Sequence, residues 1–538
     1  MIIDRILGIS TVVVLTSTLM VSTSVAEVEY DGSISGAGFV PGPNYIIDSS
    51  FGRQSGRNLF HSFKNFNIGG GENAKFVGPA EVSHIFARVT SGNSSVINGL
   101  VASDIEGASL WVINPKGIIF GQGAALDVSG SFYATTADYI TFEDGRFDST
   151  PVDSFTLPSG VPARIEMLSD NQASIHVNNS NLENDKSKGI HLVSNNVSLI
   201  NSRLDAGRIT LDASGLIENI AIEYPGEQEA ADRLTVIDST LVSHGSLQMD
   251  AGDIVLDGAH IDADGKLKIH SESLVLRNSE VLMENAIGSI DFTSTSLSFE
   301  NVEIESINAG DNANIEVRGD VISLSETSVR SYAGQDVKGS DINIAGHVVM
   351  LSGGKLLTES DGSGVSGNIG LKAQQELHID GTELRTRGVG LKGGYIYISA
   401  EGQLNYNDKN FTTEYPQAGT QQVTRIQIGV ATEDVIPDMN DETEAQTNAQ
   451  TTGKEGLHSG EGQKGITETG RDQLLLAVKP VRDKKLIQNK ERCKSDGEVN
   501  IVRRSTSDND TGTWRYPMGR YVSFSTFQGG SNSDNRCL

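Results

Sequence analysis

Chemistry in this chain would have to come from its 10 histidines, its 70 acidic residues and its two cysteines, and their spacing assembles no catalytic unit. There is no G-x-S-x-G nucleophile elbow, no H-E-x-x-H, no phosphate-binding P-loop and no C-x-x-C. His61 sits inside an aromatic run (Leu59, Phe60, Phe63, Phe66, Ile68), where an imidazole could act as ligand or base. Its surroundings read instead as the packed floor of a fold, with His61 a hydrogen-bonded structural residue. Asp250, Asp253, Asp257, Asp262 and Asp264 crowd into one short stretch and would make a Ca²⁺ site or an acid/base pair if they converged. They follow neither the calcium repeat G-G-x-G-x-D nor the EF-hand loop, so they read as a solvated face. The expectation is a protein without catalytic residues, cofactor or metal. Cys493 and Cys537 are the only cysteines, and an even count in an exported chain favours one disulfide, closing a loop worth about 4 kcal/mol; two free thiols remain the alternative.

The elements that must carry these residues are short strands. In residues 110–132, LWVINPKGIIFGQGAALDVSGSF, three brief apolar runs are separated by Asn114-Pro115, Gly117, Gly121, Gly123 and Gly130. Proline fixes φ and lacks an N–H while glycine admits positive φ, so strands of three to five residues must end there and no helix survives. Strands this close together suit a right-handed parallel β-helix.

Further on, a unit of the form apolar-x-(Asn/Asp/Gly/Glu)-small-x-apolar recurs at 177–182, 199–204, 236–241, 256–261, 276–281, 299–304, 324–329, 351–356 and 379–384. Aligned on the last apolar residue, the steps are 22, 37, 20, 20, 23, 25, 27 and 28, which is one coil of a β-solenoid each, with a Glu/Ala-rich insertion at 218–232 in the step of 37. Period-two stretches such as 208–212, 246–250 and 253–256 send Ile, Leu and Val inward and Asp, Ser and Thr outward. Asn-Ser and Asp-Gly pairs would form the corners. About seventeen coils at the strand spacing give a rod of roughly 80 Å. An antiparallel sandwich is the runner-up fold, disfavoured because its strands are usually longer.

Composition agrees. The chain has 538 residues, 37% of them hydrophobic and 6% aromatic, so its core is built from Val, Ile and Leu, and 59 glycines supply turns. A net charge of −28 argues against nucleic acid or anionic lipid as the main partner. Residues 1–26 read as a secretory signal, with Arg5, an apolar run from Ile6 and the small-x-small site Ser24-Val25-Ala26. The plan is then a cap and first coils over 27–150, with 27–50 covering the open first rung, and further coils over 151–410 after a Pro-containing excursion at 150–162. An acidic low-complexity linker follows over 411–492, with a short amphipathic helix in 472–490, and a small disulfide-closed unit over 493–538.

Several blocks also carry a family resemblance: 58–66 (NLFHSFKNF), 87–92 (ARVTSG), Asn114-Pro115-Lys116-Gly117-Ile118 and 130–138 (GSFYATTAD). In order and spacing they resemble the filamentous haemagglutinin N-terminal domain, the secretion module of two-partner secretion exoproteins, over roughly residues 30–150. The chain departs from that family in having Lys116 where the motif NPNGI has its second asparagine, and in lacking an NPNL tetrapeptide. The resemblance implies Sec-dependent delivery to the periplasm and recognition by an outer-membrane β-barrel exporter with POTRA domains. It further implies folding coil by coil outside the cell, at the surface or released. It makes Asn114, Pro115, Lys116, Gly117 and Ile118 the candidate secretion motif, and the Cys493/Cys537 pair a candidate tether at the exporter. The exported rod would act as an adhesin toward a cell-surface or carbohydrate receptor; a polysaccharide-active enzyme or a structural sheath protein are the alternatives. On this reading the double variant Asn114→Ala, Gly117→Ala stays in the periplasm, and cell fractionation showing its normal release would remove the motif.

Overall fold

The computed structural model describes residues 27–429, with breaks at 153–155, 169–170, 214–215, 219–232, 285–287, 309–312, 335–336, 362–364, 389–393, 407–410 and 415–425. Beyond 429 it describes only the strand pairs 494–495 with 498–499 and 513–515 with 521–523. The signal-like residues 1–26, most of the acidic linker, the stretch 472–490 and both cysteines lie outside the described residues.

Among the described residues there is no α-helix, and the one helical piece is a single 3-10 turn at Ser49–Phe51. Thirty-one strands join one sheet whose pairings are parallel from the second coil onward, wound into a β-helix, and Asn44–Asp48, Asn73–Val77, Leu100–Ser103 and Ala125–Val128 form a separate parallel sheet on the first coils. One inward-facing row runs Leu59, Ile85, Leu110, Phe132, Ile190, Ile209, Leu247, Leu267, Ile290, Ile315, Ile342, Ile369 and Ile396, each directly opposite the next, and one further backbone rung pairs Ile426 with Ile396. These fourteen rungs span about 60 Å, at 4.8 Å per rung. The expectation of seventeen is corrected for a physical reason: chain that leaves the stack adds no rung, and the later coils use 27 or 28 residues each. Two strands past residue 410, Phe411–Glu414 and Ile426–Gly429, still pair in register, so the rod runs further than the repeat showed.

The repeat maps onto the coils residue for residue. Leu182, Leu204, Leu241, Ile261, Val281, Ile304, Val329, Leu356 and Leu384 stack in one row. The third position of each unit holds the corner: Asn179, Asn201, Asp238, Gly258, Asn278, Asn301, Glu326, Gly353 and Gly381 all have φ between 47° and 69°. Left-handed backbone is costly for most L-residues and cheap for Gly and Asn, which is why this position accepts so few types. In eight of these corners the backbone N–H donates to a carbonyl of the following coil at 2.8–3.1 Å. Side chains add to the ladder, with Asn201 Nδ2 donating to Asn179 Oδ1 at 2.7 Å and Asn301 Nδ2 to Asn278 Oδ1 at 3.0 Å.

At the N-terminal end the open edge is covered. Glu27–Asp31 lies antiparallel along Asn58–Asn67, and Ala37–Phe39 pairs antiparallel outside it. Val28 and Tyr30 close the top of the core over Phe63 and Phe66. Leu59, Phe63, Phe66 and Ile68 point inward as the aromatic floor requires, but Phe60 points out of the helix into a second apolar cluster. Its cover begins before the excursion expected at 150–162. Tyr139–Phe142, Gly145–Asp148, Pro162–Glu166 and Leu216–Glu218 form a separate antiparallel sheet.

Glu326 is the one corner residue in the row that is neither Gly, Asn nor Asp. It is exposed, so its side chain offers little to offset the backbone. Glu326→Asn should raise the urea midpoint by an amount equivalent to about 1 kcal/mol, while Asn301→Leu should lower it by a similar amount.

Candidate functional site

The segment 114–118 forms the corner between Ser109–Ile113 and Ile118–Phe120. Proline at the second position presets the turn, and the Gly117 N–H closes it by donating to the Asn114 carbonyl at 3.0 Å. The Asn114 carboxamide is fully buried and fully used. Its Oδ1 accepts from the Lys116 N–H at 2.9 Å, and its Nδ2 donates to the Asn93 carbonyl at 3.1 Å and to Ser95 Oγ at 3.0 Å in the coil before. Its backbone N–H donates to the Thr135 carbonyl of the coil after, at 3.0 Å. Gly117 has φ +111°, and a Cβ there would come within 3.0 Å of the Ser174 carbonyl and Ser94 Oγ. Ile118 is in the core. Of the five predicted residues, three are therefore locked into the stack, and only Pro115, half-buried, and Lys116, exposed, face outward.

A second constellation was not singled out in the sequence. Arg88 points out of the helix yet is 1% exposed. Its Nε donates to Ser62 Oγ at 2.8 Å, one terminal nitrogen to the Asp148 carbonyl at 2.7 Å and the other to Ser33 Oγ at 2.8 Å, while its plane lies 4.9 Å from the centre of the Phe147 ring. Ser33 and Ser62 in turn donate to the Asp31 carboxylate, which also accepts from Thr90 at 2.9 Å. Burial alone would raise the Asp31 pKa, but these hydrogen bonds outweigh it and hold the carboxyl below its usual range. Burial lowers Arg88 to about 10, against the pull of Asp31 and Asp148, which leaves it charged at neutral pH. One guanidinium thus joins the cap, the first coil and the antiparallel sheet. The sequence shows Arg88 as the one long charged side chain in the run His84–Val89, but nothing there links it to its partners.

The same outward face carries a ladder of rings. Phe60, Phe86, Trp111, Tyr133 and His191 occupy one row on successive coils, with centroids 5.0, 5.4, 3.7 and 4.3 Å apart. Ile140, Phe142, Phe147 and Ile165 of the antiparallel sheet complete the cluster.

His61 is inside, its ring flanked by Tyr30 and Phe63 and edge-on to Phe76. Neither ring nitrogen makes a well-formed hydrogen bond, contrary to expectation, because the surroundings are mostly rings and the Tyr30 hydroxyl does not reach it. Burial pushes its pKa down to about 4, with the Phe51 carbonyl and Asp48 pulling weakly the other way. Burial likewise drives His191 to about 3, reinforced by Arg208. The five aspartates do not converge. Asp250 approaches His270 at 3.5 Å, Asp253 faces Arg233 at 4.0 Å, Asp257 accepts from Asn278 at 3.0 Å, and Asp264 meets His244 at 3.0 Å. Among the described residues no three His, Cys, Asp or Glu side chains gather as a metal site.

Residues 40–269 match the family model of the TPS secretion domain, well beyond the span over which the resemblance was legible. Two heme/hemopexin-binding proteins of Haemophilus influenzae are 38% identical over 74 residues and 37% identical over 76 residues. In each case the match covers 14% of this chain and 8% of the relative, so the chain spans under a tenth of these proteins. The crystal structure of the HMW1 secretion domain from Haemophilus influenzae aligns at 21% identity with a TM-score of 0.33, covering 73% of this chain and 96% of that one.

The buried imidazoles set a pH dependence. In the unfolded chain His61 and His191 protonate near pH 6.5, but in the folded chain only near 4 and 3, so the unfolded state binds more protons between these values. Stability present at pH 7 should fall as pH drops from about 6.5 to 4, His61 alone accounting for about 3 kcal/mol. Thermal melts at pH 7, 5 and 4 should show this slope, and His61→Phe should flatten it.

Proposed function

We propose, from the premise that residues 40–269 belong to the TPS secretion domain family, that the N-terminal coils of this two-partner secretion exoprotein are its export address and that the rod behind them is an adhesin. A TPS domain implies a partner transporter in the outer membrane and export to the cell surface or beyond. In the finer reading, residues 1–26 deliver the chain through Sec, and POTRA domains of the barrel exporter read the module that starts at Glu27. The observation that carries the reading is the family match itself, laid over the capped coils that contain the 114–118 corner.

That corner divides the labour between its residues. Asn114, Gly117 and Ile118 hold adjacent coils in register, so their replacement damages the fold before it informs on recognition. Pro115 and Lys116 are what a partner could touch. Folding outside the cell follows from the same geometry: each coil bonds to its immediate neighbours, and the stack grows from a capped end without distant contacts. The heme and hemopexin named for the two relatives stay with those proteins, given the shortness of the match.

Adhesion is supported by the rod's continuous outward rows of polar side chains, which no catalytic constellation interrupts among the described residues. Binding of purified rods to cells tests it. For export, Lys116→Glu should cut the released fraction about tenfold in cells carrying the cognate exporter, while the purified variant melts as the parent does. Lys116→Asn, which restores the asparagine of the family motif, should be released normally. Full release of Lys116→Glu would remove Lys116 from recognition.

A further inference from the structure

The long strands that bend around one edge of the rod leave a groove of about 460 Å³ running along its axis across five coils. Its floor is a row of small residues at the bend, Ser271, Ser294, Gly319 and Gly346. The bend is tight enough that a Cβ on Gly319 would lie 2.3 Å from the Ser294 carbonyl, so the floor cannot fill. One wall is a single stacked row, His270, Thr293, Arg318, Ala345, Lys372, in which basic side chains alternate with small neutral ones. The opposite wall offers Thr295, Asp320, His347 and Gln374, with His347 Nδ1 3.0 Å from Asp320 Oδ1.

The alternation fixes a distance. Two coils separate Arg318 from Lys372 and from His270, which is about 10 Å, roughly the length of an extended disaccharide. Elsewhere on the rod stacked charges neutralise each other: Arg330 contacts Glu305 at 3.3 Å and Glu359 at 3.0 Å, and Arg385 reaches Glu359 at 2.8 Å. In the groove, Arg318 pairs with Glu316 at 2.7 Å and lies 3.8 Å from Asp291 of the preceding coil, and His270 lies 3.5 Å from Asp250, while Lys372 is in no ion pair among the described residues. A basic row this sparse mismatches a nucleic acid, whose phosphates are several times closer together. It matches a chain with one carboxylate per two sugars, and Asp320, His347, Thr295 and Gln374 provide acceptors and donors for hydroxyl and amide groups.

The geometry points to this groove as the binding site for a linear glycan carrying one uronate per disaccharide, laid along the rod with its carboxylates at Arg318 and Lys372. This deepens the adhesin reading by naming a ligand class, and it is measured on the purified full chain, so that failure of export or of cell attachment leaves it testable. Titration calorimetry with a hyaluronan octasaccharide should show binding that weakens as salt rises. Lys372→Gln, which breaks no ion pair among the described residues, should lower affinity about fivefold, and Ala345→Glu, an outward substitution between the two cations, at least tenfold; circular dichroism melts should be those of the parent. Absence of octasaccharide binding would overturn the assignment. So would equal binding of an uncharged chito-oligosaccharide, equal binding of polyglutamate, or unchanged affinity in both variants.

Discussion

Everything in this molecule hangs on a bent backbone that most amino acids resist. At one corner of nine successive coils a residue adopts left-handed φ, and in eight of them its N–H is handed to the next coil. The corner turns the chain while a backbone donor at the bend, which would otherwise be orphaned, stays satisfied. Because the following position is small or β-branched and points inward, the two apolar residues flanking the corner are held in the interior on every turn. A one-residue slip would expose the whole apolar row, so register is fixed by the same feature that makes the turn.

The N-terminal coils depart from this regularity in a way that makes them a distinct module. A plain β-helix keeps polar residues outside, whereas here Phe60, Phe86, Trp111 and Tyr133 face outward in a stack. Left bare, such a stripe would be an association surface. The chain interrupts its winding after Ala137 to lay an antiparallel sheet over the rings, each fully buried aromatic being worth roughly 2–3 kcal/mol. Further along the same outward row, past the buried His191 and Thr210, the residues become Gln248, Lys268 and Asp291, and the cover is no longer needed.

Why the rod was legible in the sequence and the module only by its motifs follows from how each is held. The repeat writes its register into local pattern: apolar, corner, small, apolar, with the steps of 20 to 28, and the one of 37 that holds the insertion, reproduced in the pairings of Leu182 through Leu384. Asn114 to Ile118 were visible because a Pro-Gly corner needs those types locally. Arg88 was not, since its partners lie at Asp31, Ser33, Ser62 and Asp148, scattered over more than a hundred residues with no spacing that links them. The outward rings escaped for a related reason: alternation tells that Phe60 and Phe63 lie on opposite faces or the same one, but not that a distant excursion returns to cover the exposed face. His61 was placed in the right cluster but expected to be hydrogen-bonded, because a sequence shows neighbours in the chain and not the rings of other coils.

The order in which these contacts can form bears on export. A coil of the rod needs only the coil before it, so its stabilisation is released as soon as about 20 to 28 residues have emerged. The module cannot behave that way: Arg88 closes its network only when the Asp148 carbonyl is in place, and the ring stack is covered only when Pro162–Glu166 has paired. The first 140 or so residues from Glu27, cap included, therefore set as one cooperative unit, and until they do, the outward rings and the unlatched edge of Asn58–Asn67 stay uncovered. Completing the module withdraws most of that surface and leaves a capped end on which the repeats add one at a time. In the export proposed above, a module that sets as one unit, followed by a rod that folds without waiting, gives the chain a physical reason to move in one direction.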